Sequence, residues 1–436
     1  MSASRRGIST HVAGSDVESP PPPAARRVIT GSPGSPGWKQ APDLESPEAL
    51  ESPSSIGLLR ASLAAQPSEG KVLELLIQGG GFDRLVDAID SETALVATAL
   101  DVVAACTERF PITCVEFCRR VGKRAVELAA RNDVVGCNAC AVLANLAFVD
   151  INCEHLAALG VLPVAVDALR RGASAHALAV QSARLVRNLA AHPTLQAKLY
   201  ALGAHDALGA VMAAFPDVEV SVEAVCAVAN LAEDDACVDG LMTLAPAVVK
   251  AMGSHDSAVL RAGSAALANL AVHDGNATLL LKQGAAQVLL AALRAYPSDV
   301  ELARAACEAL AYLADEAPAD LMKMQAGAAV LDVLTRHAED AAVCEEACGL
   351  VTALAVDSVS RAALAQTGVG PAVLTAMRTH AGDVDVVEEA CYALCELCKD
   401  ASAVAAVKDV EAELAVVRLL APEAADQLLG QLQVAR

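Results

Sequence analysis

The sequence predicts an all-α protein: an array of about eight three-helix repeats over residues 57–436, preceded by a disordered tail at 1–56. Three observations predict it. The tripeptide Asn-Leu-Ala recurs at near-constant spacing, an acid or amide precedes most copies by thirteen residues, and single glycines recur with the same period. Composition agrees. Hydrophobic residues make up 55% of the chain but aromatics only 2%, so the core must be filled by small aliphatic side chains, as closely stacked helices allow.

The first 56 residues differ from the rest. They contain Pro20–Pro23, the run Ser32-Pro33-Gly34-Ser35-Pro36-Gly37 and few apolar side chains. Too little surface can be buried there to offset the entropy of ordering the chain. Five Ser-Pro dipeptides, at Ser19, Ser32, Ser35, Ser46 and Ser52, read either as sites for proline-directed kinases or as ordinary linker texture. No stretch here has the apolar run of a signal sequence. The 14 cysteines are therefore expected to stay reduced, and the expected location is cytoplasmic, with nuclear or ciliary placement open. The longest charge-free runs, Val134–Val149 and Ala362–Met377, have 16 residues each. A bilayer span needs ~20, so no transmembrane segment is expected.

The repeat follows from residue 57. Asn-Leu-Ala starts at Asn145, Asn188, Asn230 and Asn269, and degenerate copies start at Tyr312, Ala353 and Glu396, with spacings of 43, 42, 39, 43, 41 and 43. A further copy is expected within Leu100–Ala105. Such a period marks a repeat architecture. Thirteen residues ahead stand Asp90, Asn132, Asp217, Asp256, Asp299, Asp340 and Asp383, with Ala175 breaking the series. Their phase suits helix N-caps, whose side chains accept from free backbone N–H groups. Gly81, Gly122, Gly160, Gly203, Gly284, Gly327 and Gly368, with Ala245-Pro246 once instead, are expected at the corner between the first two helices of each unit. A repeat buries its faces only against neighbours, so Ser55–Ala65 and Glu423–Val434 are expected as capping helices.

Three helices in about 42 residues, with a Gly between the first two and Asn-Leu-Ala closing the third, resembles the armadillo repeat family across roughly residues 57–420. HEAT repeats are the close neighbour, and the Gly corner favours armadillo. The resemblance implies a right-handed superhelix whose third helices line a concave groove for extended partner segments. Side chains at the Asn position, four before it and seven before it share one helical face and would line that groove. They include Asn145, Arg184 with Asn188, Asn230 and Asn269, then Glu308 with Tyr312, Glu346, and Glu389 with Tyr392 and Glu396. In the family this Asn often hydrogen-bonds the backbone of a bound peptide. The alternative, that it braces the neighbouring loop, stays open. Nuclear-import adaptors of the family pair the Asn with a Trp four residues earlier. Ala141, Arg184, Cys226 and Ala265 stand there instead, and the single Trp is Trp38, so that role is not expected.

Charge narrows the partner. The net charge is −21, yet residues 58–200 carry fourteen charges of each sign, while residues 201–436 carry thirteen basic against thirty-three acidic. An acidic surface repels a phosphate backbone, and few aromatics are present to stack on bases. Nucleic acid is excluded as a direct ligand, and a basic protein segment is favoured, held by a monomer. A patch of Arg119, Arg120, Lys123, Arg124, Arg131, Arg170 and Arg171 reads as solvated surface or as a dock for an acidic partner or anionic membrane. Cys307, Cys348 and Cys391 share one repeat position, which marks core filler rather than converging metal ligands. No phosphate-cradling glycine loop, nucleophile elbow or zinc-protease motif is present. The expectation is a protein-binding scaffold, neither an enzyme nor a carrier of metal or cofactor. A chaperone-regulatory or nuclear-transport-type factor clamping a folded partner, and a structural component of cilia or cell junctions, are the alternatives.

Overall fold

A computed structural model describes residues 76, 80–91, 95–273, 275–400 and 421–434. The tail, the boundary at 57 and the expected capping helix Ser55–Ala65 lie outside the described residues. Among them the secondary structure is entirely helical. The described residues fall into two compact units, one ending at Leu270 and the other beginning at Ala271.

In the first unit the third helices are Leu95–Arg109, Val134–Ala147, His176–Ala190, Val218–Leu231 and Ser257–Ala271, the last ending at the boundary. The first four pack side by side in chain order. In the second unit Val300–Glu316, Ala341–Leu354 and Val384–Leu397 do the same, and Pro422–Val434 covers the last of them as the expected capping helix. One repeat shows the pattern plainly: Asp150–Ala158, a corner at Gly160, Val161–Gly172, then His176–Ala190. The leucine of each Asn-Leu-Ala, at Leu146, Leu189, Leu231 and Leu270, has no exposed surface. Burying a leucine stabilises by about 1.5–3 kcal/mol, so the tripeptide records where each third helix meets its neighbours.

The caps follow the expected phase with two exceptions. Asp217, Asp256, Asp299, Asp340 and Asp383 each accept from a backbone N–H two or three residues on. Ala175 starts its helix with no side-chain cap. Asp133, not Asn132, caps Val134–Ala147 by accepting from the Gly136 N–H at 3.1 Å. Asp90 is the last residue of the helix Gly81–Asp90 rather than the start of another.

The corners shift in three places. Gly160, Gly203, Gly284 and Gly368 take φ between 82 and 88°, a left-handed turn that only glycine adopts without strain. At the first corner Gly80, not Gly81, has positive φ. Gly122 turns nothing: it lies inside the continuous helix Cys114–Ala129, where a Cβ would stand 3.4 Å from Leu159. Gly327 also lies inside a helix, with Leu364 and Met322 each 3.1 Å from its missing Cβ, and Gln325 makes the turn at φ 68°. Gly327 serves close packing, whereas a Cβ at Gly122 would make only ordinary van der Waals contact. Pro246 occupies the first turn of Ala245–Met252 as expected.

Among the described residues no single helix is long and apolar enough to cross a membrane. The one apolar pair, Ile151–Ala158 and Val161–Gly172, bends by 86° between its members. All fourteen cysteines are free thiols, and all but Cys137 are buried. Burial pushes Cys106, Cys140, Cys226 and Cys391 up to about 12, which removes the reactive thiolate. A disulfide-exchange reagent at mildly alkaline pH is expected to modify Cys137 alone in the folded protein and all fourteen thiols in urea. Rapid titration of several thiols in native buffer would contradict this packing.

Candidate functional site: the face of the third helices

The expected groove positions are all buried or half-buried, as a recessed face requires. Their hydrogen bonds decide what each can do. In the first unit the four asparagines form one ladder. The Nδ2 of Asn145 donates to the carbonyl of Ala104 at 2.8 Å, that of Asn188 to Ala144 at 2.7 Å, that of Asn230 to Arg187 at 2.9 Å and that of Asn269 to Ala229 at 3.0 Å. Each acceptor belongs to the preceding third helix, and for the last three it lies in the final turn; the Arg187 carbonyl also accepts from the Ala191 N–H at 3.1 Å. Asn145, Asn188 and Asn230 are 7–8% exposed. One N–H of each amide thus braces neighbouring repeats; the nitrogen carries two, and Asn145 gives its second to Thr107 Oγ1 at 3.1 Å.

The amide oxygens face arginines. Asn145 Oδ1 accepts from Arg184 Nη2, and Asn188 Oδ1 accepts from Arg187 Nε at 3.0 Å. Arg187 Nη1 lies 2.6 Å from Glu223 Oε2, a pair whose side chains are 19% and 15% exposed. Burial pushes the Glu223 carboxyl up, against the pull of Arg187 and then Arg184. Arg184 Nη1 is 3.8 Å from Glu108 Oε1. The structure thus gathers Asn145, Arg184 and Asn188 into one network, and it adds Arg187, which the sequence reading had passed over. Asn230 and Asn269 continue the ladder without an arginine.

In the second unit the ladder changes character, because Tyr312, Ala353 and Glu396 replace the asparagine. Arg304 Nη1 lies 3.1 Å from Glu308 and 4.0 Å from Glu346, which brings those two acids together around one cation. Glu396 pairs with Lys399 and lies 3.8 Å from Arg361. Tyr392 donates its hydroxyl to Glu388 Oε1 at 3.0 Å. Burial, then the hydrogen bond and charge of Glu388, then Glu389 and Glu423, push its phenol up to about 12. Glu389 and Tyr312 are half-buried on the same face. Arg304 could have been read four residues before Glu308, a spacing that pairs charges on a helix. Arg361 belongs to a first helix 35 residues from Glu396, and no local spacing announces it.

The basic patch is mostly spent on its own surroundings. Arg119 pairs with Glu116, Arg120 with Glu116 and Asp83, Arg124 with Glu127, and Arg131 with Asp133. Arg170 and Arg171 donate to backbone carbonyls of neighbouring repeats, at Leu202, Ala129 and Arg131. Among the described residues no group of three or more His, Cys, Asp or Glu side chains converges to hold a metal ion.

No family model matches the sequence, and no curated protein sequence matches it. Solved structures do. One is an engineered protein, 22% identical, with a TM-score of 0.74 over 89% of this chain and 98% of that one. Another comes from work on a phosphorylation switch that controls the interaction between cadherin and β-catenin; it is 19% identical, with a TM-score of 0.70 over 88% of this chain and 83% of that one. At such identities the likeness establishes the fold, an all-helical repeat solenoid.

Proposed function

We propose that this chain is an armadillo-type scaffold whose third-helix face in residues 300–434 holds a basic, extended segment of a partner protein. The observation that carries the reading is the surroundings of Tyr392. Its hydroxyl donates to Glu388 Oε1 at 3.0 Å, and the charges of Glu388, Glu389 and Glu423 act on its phenol. Residues 271–436 carry eleven basic and twenty-four acidic side chains, so the field around that ring is negative. An aromatic ring beside carboxylates suits the ammonium or guanidinium of a partner's Lys or Arg. The β-catenin structure noted above concerns an interaction between proteins, which is consistent with a binding role for this fold.

The test uses a fluorescent peptide of alternating Lys, Gly and Ser and its Glu-for-Lys counterpart. The lysine peptide is expected to bind the full chain, and Glu388→Gln with Glu389→Gln to weaken it by about tenfold, some 1.4 kcal/mol, with a shallower salt dependence. Equal affinity for wild type and double variant would remove this face as the binding surface.

A further inference from the structure

We infer that Arg184 is a carboxylate-binding station, a place where the His176–Ala190 helix receives an acidic side chain of an extended protein partner. The guanidinium is set in advance. Asn145 Oδ1 accepts from its Nη2, and Asn145 is itself fixed by donating to the Ala104 carbonyl at 2.8 Å and to Thr107 Oγ1 at 3.1 Å. An arginine oriented this way loses little entropy on binding and offers its planar fork to a carboxylate.

The fork is not saturated. Nη1 is 3.8 Å from Glu108 Oε1, beyond hydrogen-bonding distance, and the Arg184 charge also acts on the Glu223 carboxyl. The Nε–H is buried and has no acceptor. Glu108 is a loose counter-ion, its side chain 48% exposed against 16% for Arg184. The neighbouring cation, Arg187, is by contrast closed off by Glu223 and Asn188. Small residues, Ala141 and Cys226, stand at the matching position of the flanking third helices, so no bulky side chain competes for the space. A carboxylate meeting Nη1 at proper distance would replace a weak pair by a charge-assisted hydrogen bond. Charge complementarity selects an acidic segment here. That separates this station from the basic-segment reading of residues 300–434, on which it does not depend.

The experiment uses the full chain and three fluorescent peptides of about 15 residues, long enough when extended to cross several ~10 Å helix spacings. One carries Glu at regular intervals, one Gln and one phosphoserine. The Glu peptide is expected to bind and the Gln peptide not. Arg184→Gln should weaken the Glu peptide about tenfold, and Arg184→Lys should fall between, since an ammonium keeps the charge and loses the fork. Glu108→Gln should strengthen binding several-fold by removing the rival carboxylate, which keeps the test valid if Arg184→Gln fails to fold. Unchanged affinity in Arg184→Gln, weaker or unchanged affinity in Glu108→Gln, or equal binding of the Gln peptide would overturn the assignment. Binding of the phosphoserine peptide alone would overturn the carboxylate as the ligand.

Discussion

Asn188→Leu is expected to lower the free energy of unfolding by about 2–4 kcal/mol, because two buried polar groups lose their partner at once and each costs about 1–3 kcal/mol. Asn188 is 8% exposed, donates to the Ala144 carbonyl at 2.7 Å and accepts from Arg187 Nε at 3.0 Å. Leucine branches at the same atom and is the larger side chain, so none of the loss can be assigned to a cavity. Asn188→Asp should be destabilising too, since a carboxylate cannot donate to Ala144. Urea unfolding reads the effect as a lower midpoint at unchanged slope. A change under 0.5 kcal/mol would mean that the amide contributes little to holding the two helices together.

Arg187→Met is the second large effect, about 3 kcal/mol at neutral pH, because it leaves Glu223 half-buried without its nearest cation. Its pH dependence separates it from simple loss of packing. Burial already holds the Glu223 carboxyl above its ordinary range, and Arg187 is the largest influence pulling it down. A carboxyl whose folded pKa is raised favours the native state when protonated. That advantage is complete below its unfolded pKa and is lost as pH rises through the folded pKa. Without Arg187 the folded pKa rises further, so the variant's deficit should be smallest in acid and grow as pH rises through the raised folded pKa towards neutral. Adding Glu223→Gln should restore most of the stability at neutral pH. A deficit that is flat with pH, or unrelieved by the second change, would show that the aliphatic stem of Arg187 matters more than its charge.

The repeat was legible because burial is periodic. The leucine of each tripeptide must be dry in every unit, so its spacing is kept where its neighbours differ, while the aspartates keep phase because each third helix needs its first N–H groups capped. Gly122 and Gly327 show where this reading slips: a glycine at the period of the corner need not make the corner, and spacing alone does not show which ones do. The asparagines show a deeper gap. An amide nitrogen has two N–H groups, and whether one of them turns sideways to the next helix depends on a carbonyl 40–44 residues earlier. Helix rotation decides it, and a one-dimensional pattern does not record rotation. The ion pairs divide likewise, with Arg304 and Glu308 readable within one helix and Arg187 with Glu223 only once two helices lie together.

The ladder also has a mechanical meaning. A stack of coils is a spring, and its stiffness depends on how firmly each coil is tied to the one before. Between Leu95 and Ala271 every successive pair of third helices is tied by an asparagine–carbonyl bond, a directional link that resists sliding and tilting. From Val300 to Leu397 tyrosine, alanine and glutamate stand in its place. There His337 and His380 make the directional links, meeting the carbonyls of Pro297 and Ala338 one repeat earlier at 3.0 and 2.9 Å. Both segments are therefore tied coil to coil, the first along its third helices and the second through the loops that lead into them.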